Sequence, residues 1–425
     1  MRHAQSLRGA GAGRRSRVVG CTLLVIALGA GASGCASDGN PLSAEPYDAA
    51  DQISFGGSVD AGKRADPDKP LEVVAENSDG RITDVTALDA SGRYVAGELA
   101  ADGSRWHSTS PLAANARYTV RVSTEGEDGA PGRKVLTFTT GKPTTKRLGV
   151  TFGPKAGTYG VGQPLTAELD APVKDRAQRA TVERALKVES KPAVTGTWHW
   201  VDDKKLHYRP QDYWPAHAGI TVRSTLEGIK INDRLRGGTA KPLTIRTGDR
   251  VIAVTDAATH QLTVYKNDEE IKRIPVTTGK PGFETRNGVK VVLAKERFVR
   301  MRSTTVGIAE GSAESYDLDV SFATRVTWSG EYVHAAPWSV GSQGYANVSH
   351  GCVGMNTDNA QWFFDTVREG DVVEVVNSAG RTMEPFGNGY GDWNLDWTHW
   401  QAGSALATDT APGRQEAARL RPTAV

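Results

Sequence analysis

Cysteine is scarce in this chain, which has three in 425 residues. Cys21 and Cys35 both lie near the N-terminus, so Cys352 is the only thiol in the rest of the sequence. A single thiol excludes a disulfide within that part, and the Cys-x-x-Cys and His-x-x-x-His spacings of zinc sites are missing too. We therefore expect no metal site, and Cys352 is the first candidate for a chemical role.

The sequence also lacks the signatures of nucleotide and nucleic-acid binding. Its net charge is only +2, and no block of basic residues interleaved with aromatic residues follows the N-terminal segment. No glycine-rich phosphate loop or dinucleotide fingerprint stands between a strand and a helix. We therefore expect no cofactor and no nucleic-acid partner. The content of 38% hydrophobic residues indicates several folded domains.

Long hydrophobic runs are missing as well, apart from a short one near the N-terminus. Five arginines precede an apolar run at 18–30, which is shorter than the roughly 20 residues of a membrane-spanning helix. This pattern is typical of a signal peptide. The run 32–35, Ala-Ser-Gly-Cys, resembles a lipobox, so we predict a lipoprotein signal peptide at residues 1–35 and acylation of Cys35.

The protein is accordingly predicted to be extracytoplasmic and lipid-anchored to the cell membrane. Ordinary cleavage nearby, with loss of Cys35, is the alternative. Residues 36–50 are mostly small and polar, and we expect them to form a flexible tether.

Residues 51–249 show short segments of period-two alternation broken by Gly, Pro, Asp and Asn, which indicates strands. Two sequence patterns occur twice, each time about 100 residues apart, which is the size of an immunoglobulin-like sandwich. We therefore predict two tandem modules of this kind, at 51–145 and 146–249, with one short helix around 177–186. The repeated patterns are Leu-Thr-apolar-x-Thr-Gly at 136–141 and 243–248 and Thr-Val-Arg at 119–121 and 221–223.

Four aromatic residues of the second module allow two interpretations. Trp198, Trp200, Tyr213 and Trp214 could form a platform for a glycan or a peptide, or they could fill the core of the sandwich. The core interpretation is favoured because aromatic residues in β-sandwiches are more often buried.

The pattern changes at residue 250. Strand-like alternation continues to Val376, interrupted by one amphipathic helix at 359–368. Residues 250–380 are therefore predicted to form a third domain, mainly β with one or two helices. The whole chain is predicted to be mostly β.

A tryptophan-rich extension follows at 381–402. Trp393, Trp397 and Trp400 have the spacing of one helix face, and we expect them to pack on the third domain. Residues 403–425 are predicted to be a disordered tail.

The candidate chemistry concentrates around Cys352. A free thiol is mostly protonated at neutral pH, so a nucleophilic cysteine needs a histidine as its base. His334 can lie across from Cys352 on a neighbouring strand, and His350 can tune or position the thiol if its segment is extended. The N–H groups of Gly351 and Cys352 could form an oxyanion hole. Together these residues favour catalysis over a structural role.

These residues resemble those of the L,D-transpeptidases, cysteine enzymes of the bacterial cell wall with a YkuD-type catalytic domain. The resemblance rests on His334 followed by the Ser-His-Gly-Cys run at 349–352. Two immunoglobulin-like modules and a lipobox ahead of such a domain are similar to the actinobacterial architecture of the family. The similarity extends through the runs 329–334, 336–341, 359–362 and 391–394.

The resemblance implies a peptidoglycan L,D-transpeptidase. Cys352 would attack the carbonyl of diaminopimelate, the third residue of a tetrapeptide stem, and expel the terminal D-alanine to leave a thioester. The side-chain amine of a second stem would resolve it into a 3→3 cross-link. His334 would be the general base and acid, oriented by a carbonyl near Ala335, and His350 a supporting residue.

The same resemblance implies the partners and the substrate path. Stem peptides of the wall are the expected partners, and carbapenems are expected to acylate Cys352 while penicillins react poorly. The Gly- and Ser-rich stretch before Tyr316 would be a mobile flap. Related enzymes often carry Asn where this chain has Gly354, and Asn356 is a candidate substitute. The implied substrate-binding residues are Tyr316, Ser329, Gly330, Trp338, Ser349, Gly351, Gly354 and Asn356.

Three alternatives remain open. A wall carboxypeptidase or cysteine peptidase would use the same site, with water in place of the amine. A non-catalytic wall-binding lipoprotein would not use Cys352 as a nucleophile. A sortase-like transpeptidase is disfavoured because the Thr-x-Thr-Cys strand and its following Arg are missing.

Overall fold

The computed structural model describes residues 46–49, 52–57, 59, 64–76, 80–142 and 145–407. The predicted signal peptide, Cys35 with its lipobox, most of the tether and residues 408–425 lie outside the described residues. The described part is mostly β-strand, which confirms the predicted fold class. No helix within it is long and apolar enough to span a membrane.

The first module consists of two four-stranded sheets. Its strands are β1 (Tyr47–Asp48), β2 (Ile53–Gly57), β3 (Leu71–Ala75), β4 (Gly80–Asp89), β5 (Gly97–Leu99), β6 (Arg105–Ser108), β7 (Arg117–Gly126) and β8 (Pro131–Thr139). The sheet orders are β1-β8-β7-β4 and β2-β3-β6-β5. Alternate residues of β7, namely Tyr118, Val120 and Val122, are buried between the sheets. Because β1 pairs with β8, the predicted tether ends before Tyr47 and not at residue 50.

The second module repeats this arrangement. Its elements are β9 (Lys146–Leu148), β10 (Val150–Gly153), β11 (Thr158–Tyr159), β12 (Leu165–Leu169), α1 (Arg176–Ala185), β13 (Leu186–Lys191), β14 (Gly196–Trp200), β15 (Lys205–Pro210), β16 (Gly219–Ser224), β17 (Lys230–Asn232), β18 (Leu235–Gly237) and β19 (Leu243–Thr247). The sheets are β10-β12-β15-β14, β11-β19-β16-β13 and the small β17-β18-β9. The second of these matches β1-β8-β7-β4, and the repeated sequence patterns lie in β7 and β8 and again in β16 and β19.

The tryptophans of the second module belong to its core. Trp198, Trp200 and Trp214 are 4%, 6% and 1% exposed and pack in one hydrophobic cluster. Tyr213 packs against that cluster and is half-buried. Burial of the three indoles confirms the core interpretation over the binding platform.

The third domain holds two sheets and one longer helix. Its elements are β20 (Val251–Asp256), β21 (Gln261–Lys266), β22 (Glu269–Pro275), β23 (Gly288–Val291), β24 (Ala294–Arg302), β25 (Asp317–Arg325), β26 (Tyr332–Ala335), β27 (Val353–Met355), α2 (Thr357–Thr366) and β28 (Val372–Val376). The sheet orders are β22-β21-β20-β28-β23 and β24-β25-β26-β27. Helix α2 buries Ala360 and Phe363 and lies against β25 and β26. It starts and ends two residues earlier than predicted.

The C-terminal extension differs from its prediction. Trp393 lies in a 3-10 helix (Asp392–Asn394), whereas Trp397 and Trp400 lie in α3 (Trp397–Ala402), so no single helix carries all three. The extension does bond to the third domain as predicted, since the side chain of Asn394 pairs with both backbone groups of Val289 at 2.7 Å and 3.0 Å. Its tryptophans contact another partner: the indole of Trp393 donates to the carbonyl of Gly162 at 2.8 Å and that of Trp400 to Thr197 at 3.1 Å. Both carbonyls belong to the second module.

The tail begins later than predicted. Ser404 is buried, and its hydroxyl donates to the carboxylate of Glu183 in α1. Residues 403–407 are therefore packed on the second module and are not part of a disordered tail.

Candidate active site

Cys352 and His334 meet through two parallel strands. Strand β26 carries His334, and Cys352 immediately precedes β27, in which Gly354 is the direct partner of His334. Both side chains line one cavity of about 250 Å³. The sequence prediction that a neighbouring strand brings His334 to Cys352 is confirmed at the level of the strands.

The imidazole of His334 is held by its own strand. Its Nδ1–H donates to the carbonyl of Ala335 at 2.8 Å, and the residue is 5% exposed. Burial lowers the pKa of His334, since a charged imidazole is disfavoured away from water. The ring is therefore neutral at neutral pH, with Nε2 available to accept a proton.

The thiol of Cys352 is protonated at rest. Burial raises its pKa to about 12, against a smaller opposing effect from the backbone N–H of Tyr332. The S–H group donates to the carbonyl of Gly330 at 3.5 Å. Gly330 has φ +102°, a conformation that residues other than glycine rarely adopt.

His350 is directed away from the role expected for it on an extended strand. Residues 350–352 form bends, and Gly351 has φ +115°. The Nε2 atom of His350 bonds the carboxylate of Glu314 at 2.7 Å, and its ring packs on Phe283 and Tyr316 at centroid distances of 4.7 Å and 5.1 Å. His350 lines the cavity but connects it to the segment 303–316.

The oxyanion donors expected from sequence are not both available. The N–H of Gly351 donates to the hydroxyl of Ser349 at 3.1 Å, and its carbonyl accepts from the hydroxyl of Thr285 at 2.8 Å. The prediction is therefore wrong for Gly351 in this conformation. The N–H of Cys352 remains the candidate donor.

Gly354 has a steric reason to lack a side chain. A Cβ atom there would come within 2.9 Å of the Cβ of Ala336 and within 3.1 Å of Thr277. Its N–H and carbonyl both pair with Thr277, at 2.9 Å each. An asparagine at this position would need these neighbours to move.

The other predicted residues divide into two groups. Five of them line the cavity, whereas Ser329 and Asn356 are placed elsewhere. Ser329 is bonded to Asn388 at the surface, and the side chain of Asn356 caps α2 by accepting from the N–H of Asn359 at 2.8 Å. Asn356 therefore does not substitute for the missing amide. The five lining residues are Tyr316, Gly330, Trp338, Ser349 and Gly354.

Several residues that line the site were not predicted to do so, although Ala336 and Ser339 lie in the run 336–341 that resembles the family. The cavity has apolar walls from β24, from β25 and from the segment after β26, which ordinary strand alternation does not distinguish from core. The unpredicted lining residues are Thr277, Met301, Leu318, Val320, Ala336, Ser339 and Val348. Within the described ranges, no group of three or more His, Cys, Asp or Glu side chains could hold a metal ion.

Comparison with known proteins gives two family matches. Residues 62–230 match a family described as bacterial Ig domain, and residues 250–375 match one described as L,D-transpeptidase catalytic domain, the YkuD family. The chain is similar to L,D-transpeptidase 2 of Mycobacterium tuberculosis, with 38% identity over 340 residues, 80% of this chain and 82% of that protein. It is similar to L,D-transpeptidase 5 of the same species, with 31% identity over 353 residues, 81% of this chain and 75% of that protein.

One solved structure among those similar to this chain holds a bound β-lactam. It is an LD transpeptidase in complex with imipenem, with 39% identity and a TM-score of 0.45, and the match covers 52% of this chain and 95% of that chain.

Proposed function

Because the chain belongs to the L,D-transpeptidase family, whose YkuD catalytic domain here follows a bacterial Ig region, we propose that it makes 3→3 cross-links through a thioester on Cys352. Peptidoglycan L,D-transpeptidase activity follows from the family itself.

In the first step Cys352 becomes acylated. The Nε2 atom of His334 takes the thiol proton as the sulfur attacks the carbonyl carbon of diaminopimelate in a tetrapeptide stem. The bond from that carbon to the nitrogen of the terminal D-alanine breaks, and His334 returns the proton to this nitrogen. D-Alanine leaves, and the stem is held as a thioester.

In the second step an amine replaces the sulfur. The side-chain amine of diaminopimelate in a second stem attacks the thioester carbonyl, and its proton passes through His334 to the departing sulfur. No ATP is needed because the thioester retains the acyl transfer potential of the cleaved peptide bond. The free thiol is regenerated.

One observation carries this proposal: the neutral imidazole of His334, in β26, and the protonated thiol of Cys352, just before the adjacent β27, line the same cavity. The bond from Nδ1 of His334 to Ala335 leaves Nε2 to act as the base. The N–H of Cys352 is the proposed donor to the oxyanion. Tyr316, Trp338 and Gly330 border the proposed substrate path.

The experiment is to incubate the purified protein with disaccharide-tetrapeptide fragments and to weigh the products. Dimers that lack one D-alanine are expected, and Cys352→Ala is expected to form none. Monomeric tripeptides alone would instead indicate the carboxypeptidase, in which water resolves the thioester. Full activity in Cys352→Ala would reject both enzymes that use this sulfur.

We also propose that carbapenems acylate Cys352. Opening of the β-lactam ring by the sulfur adds the whole inhibitor, because the ring amide has no separate leaving group. Intact-mass measurement is expected to show one added carbapenem on the wild type and none on Cys352→Ala. Penicillins are expected to react much more slowly.

The membrane attachment is a proposal from sequence alone. Acylation of Cys35 would hold the catalytic domain outside the cell, facing the wall that contains its substrate. Intact mass of the exported protein tests this, because a lipid-modified N-terminal Cys35 and ordinary cleavage that removes Cys35 give different masses.

A further inference from the structure

A buried cluster of charges lies next to Cys352. The ammonium of Lys290, on β23, is 2.8 Å from the carboxylate of Glu331, and the two side chains are 1% and 8% exposed. The same carboxylate accepts from the backbone N–H of Arg286 at 3.0 Å and meets its guanidinium at 3.2 Å. The reaction proposed above uses none of these three residues.

Glu331 stands between the two backbone groups that contact the sulfur. The carbonyl before it, that of Gly330, accepts from the thiol of Cys352, and the N–H after it, that of Tyr332, favours the thiolate. The N–H of Glu331 is also bonded to the hydroxyl of Thr327 at 2.8 Å. Fixing the side chain of Glu331 therefore fixes the turn that holds the sulfur.

Stability alone does not account for a lysine at this place. Removing two charges from water is expensive, and a buried ion pair is often no more stable than apolar side chains of similar volume. Burial lowers the pKa of Lys290, in opposition to its partner Glu331. A pair retained in spite of this penalty calls for a role beside the nucleophile.

We propose that Lys290 and Glu331 are positioning residues, which hold the Gly330–Tyr332 segment against the sulfur and set the ease with which Cys352 loses its proton. This inference rests on the proposed function, because it takes Cys352 to be the nucleophile.

The two charges act on the sulfur in opposite directions. Burial is the largest cause of the raised pKa of Cys352, and among the charged groups Glu331 raises it further while Lys290 lowers it. Other titratable groups face the same cavity, namely His334 from β26, Tyr316 at the end of the segment 303–316, and His350. Tyr332, the first residue of β26, follows Glu331. Its pKa is raised mainly by burial and to a smaller extent by Cys352.

The test measures alkylation of Cys352 by iodoacetamide at about pH 8, where the rate follows the small thiolate fraction. Glu331→Gln is expected to react faster and Lys290→Met slower, each by about threefold to tenfold, since one pH unit in thiol pKa changes the thiolate fraction tenfold. The double variant Lys290→Met/Glu331→Gln is expected to react moderately faster than the wild type, because Glu331 has the larger effect.

Opposite changes in the alkylation rate of the two single variants distinguish the positioning role from a purely structural one. If both single variants change the rate in the same direction, or if all stay within experimental error of the wild type, the proposal is overturned. Should a single variant not fold, Lys290→Arg and the double variant decide: the first should keep the wild-type rate and the second should exceed it. If Lys290→Arg does not keep the wild-type rate and the double variant does not exceed it, the proposal is rejected.

A matched pair of controls lies in the same domain. Arg273 and Glu270 form an exposed ion pair at 3.0 Å, and Arg273→Met and Glu270→Gln are expected to leave the alkylation rate unchanged. Alkylation requires no stem peptide, so its outcome is independent of whether Cys352 performs the proposed transfer. Loss of transpeptidation in Cys352→Ala tests that separately.

Discussion

At the residue scale, burial acts on Cys352 and His334 in opposite directions. It raises the pKa of the thiol and lowers the pKa of the imidazole, so the resting pair is neutral and not a thiolate with an imidazolium. A neutral pair carries little charge to be solvated, which suits a cavity with several apolar walls. In the proposed mechanism, proton transfer to His334 then accompanies attack on the substrate and does not precede it.

This predicts where activity is lost in acid. The base form of His334 is needed, and since its pKa in the folded protein is below the usual 6.5, the midpoint at which carbapenem acylation is lost in acid should lie below pH 6.5. Protonation also favours the unfolded chain in this range, so the free energy of unfolding should decrease as the pH falls from 6.5 toward the pKa of folded His334.

Stopped-flow acylation between about pH 4.5 and pH 8 measures the midpoint of this loss. His217→Gln, at an exposed histidine paired with Asp249, is the control and should keep the same midpoint. A midpoint at or above pH 6.5 would show that burial does not govern this imidazole.

At the element scale, the segment that the resemblance implies to be a flap is the connection between β24 and β25, residues 303–316. Glu314 ties it to the body of the domain by bonding both His350 and the ammonium of Lys280. Tyr316 at its end packs on the ring of His350. His350 thus joins the Ser-His-Gly-Cys run to the segment 303–316.

Glu314→Ala should loosen the flap. With both bonds lost, backbone amides of residues 303–316 should exchange with deuterium faster, while those of β26 and β27 keep their wild-type rates. Hydrogen exchange read by mass spectrometry measures this. Glu310→Ala, at an exposed position of the same flap, is the control. Equal amide exchange rates for residues 303–316 in the two variants would show that Glu314 does not hold this segment in place.

At the scale of the whole molecule, the second module is joined to the catalytic domain by close backbone contacts. The N–H groups of Gly160 and Gly162 donate to the carbonyls of Glu369 and Gly370 at 2.8 Å and 2.9 Å. The indole N–H of Trp393, in the C-terminal extension, donates to the carbonyl of Gly162. These bonds hold the module in a fixed position on the catalytic domain.

Gly160→Ala should weaken this junction. The Cβ of an alanine at this position would lie 2.1 Å from the backbone N of Asp371, so one of the two backbone segments must move. The expected loss in the free energy of unfolding is about 1–3 kcal/mol. Gly219→Ala in β16 is the matched control, because its Cβ would have nothing within 4 Å. Calorimetry measures both, and equal transition temperatures would contradict the tight junction.

Particular residues show what could be predicted before the fold was known. The order of His334 and the Ser-His-Gly-Cys run predicted the chemistry, because catalysis needs those residue types and few other roles do. The repeated runs predicted two similar sandwiches, since each marks the same pair of strands. Glu314, Lys290 and Glu331 could not be found this way, because exposed and buried charges look alike in a sequence.

The amino-acid sequence by itself determined the mostly β class, the tandem repeat, the family and the pair of residues proposed to transfer the proton, because these depend on local periodicity and on residue chemistry. Tertiary structure alone decided that the N–H of Gly351 is occupied, that Asn356 caps a helix, that the tryptophans pack on the second module, and that a buried ion pair lies beside the sulfur. Those outcomes depend on contacts between residues distant in the chain, and the geometry of such contacts is set by packing of the whole domain.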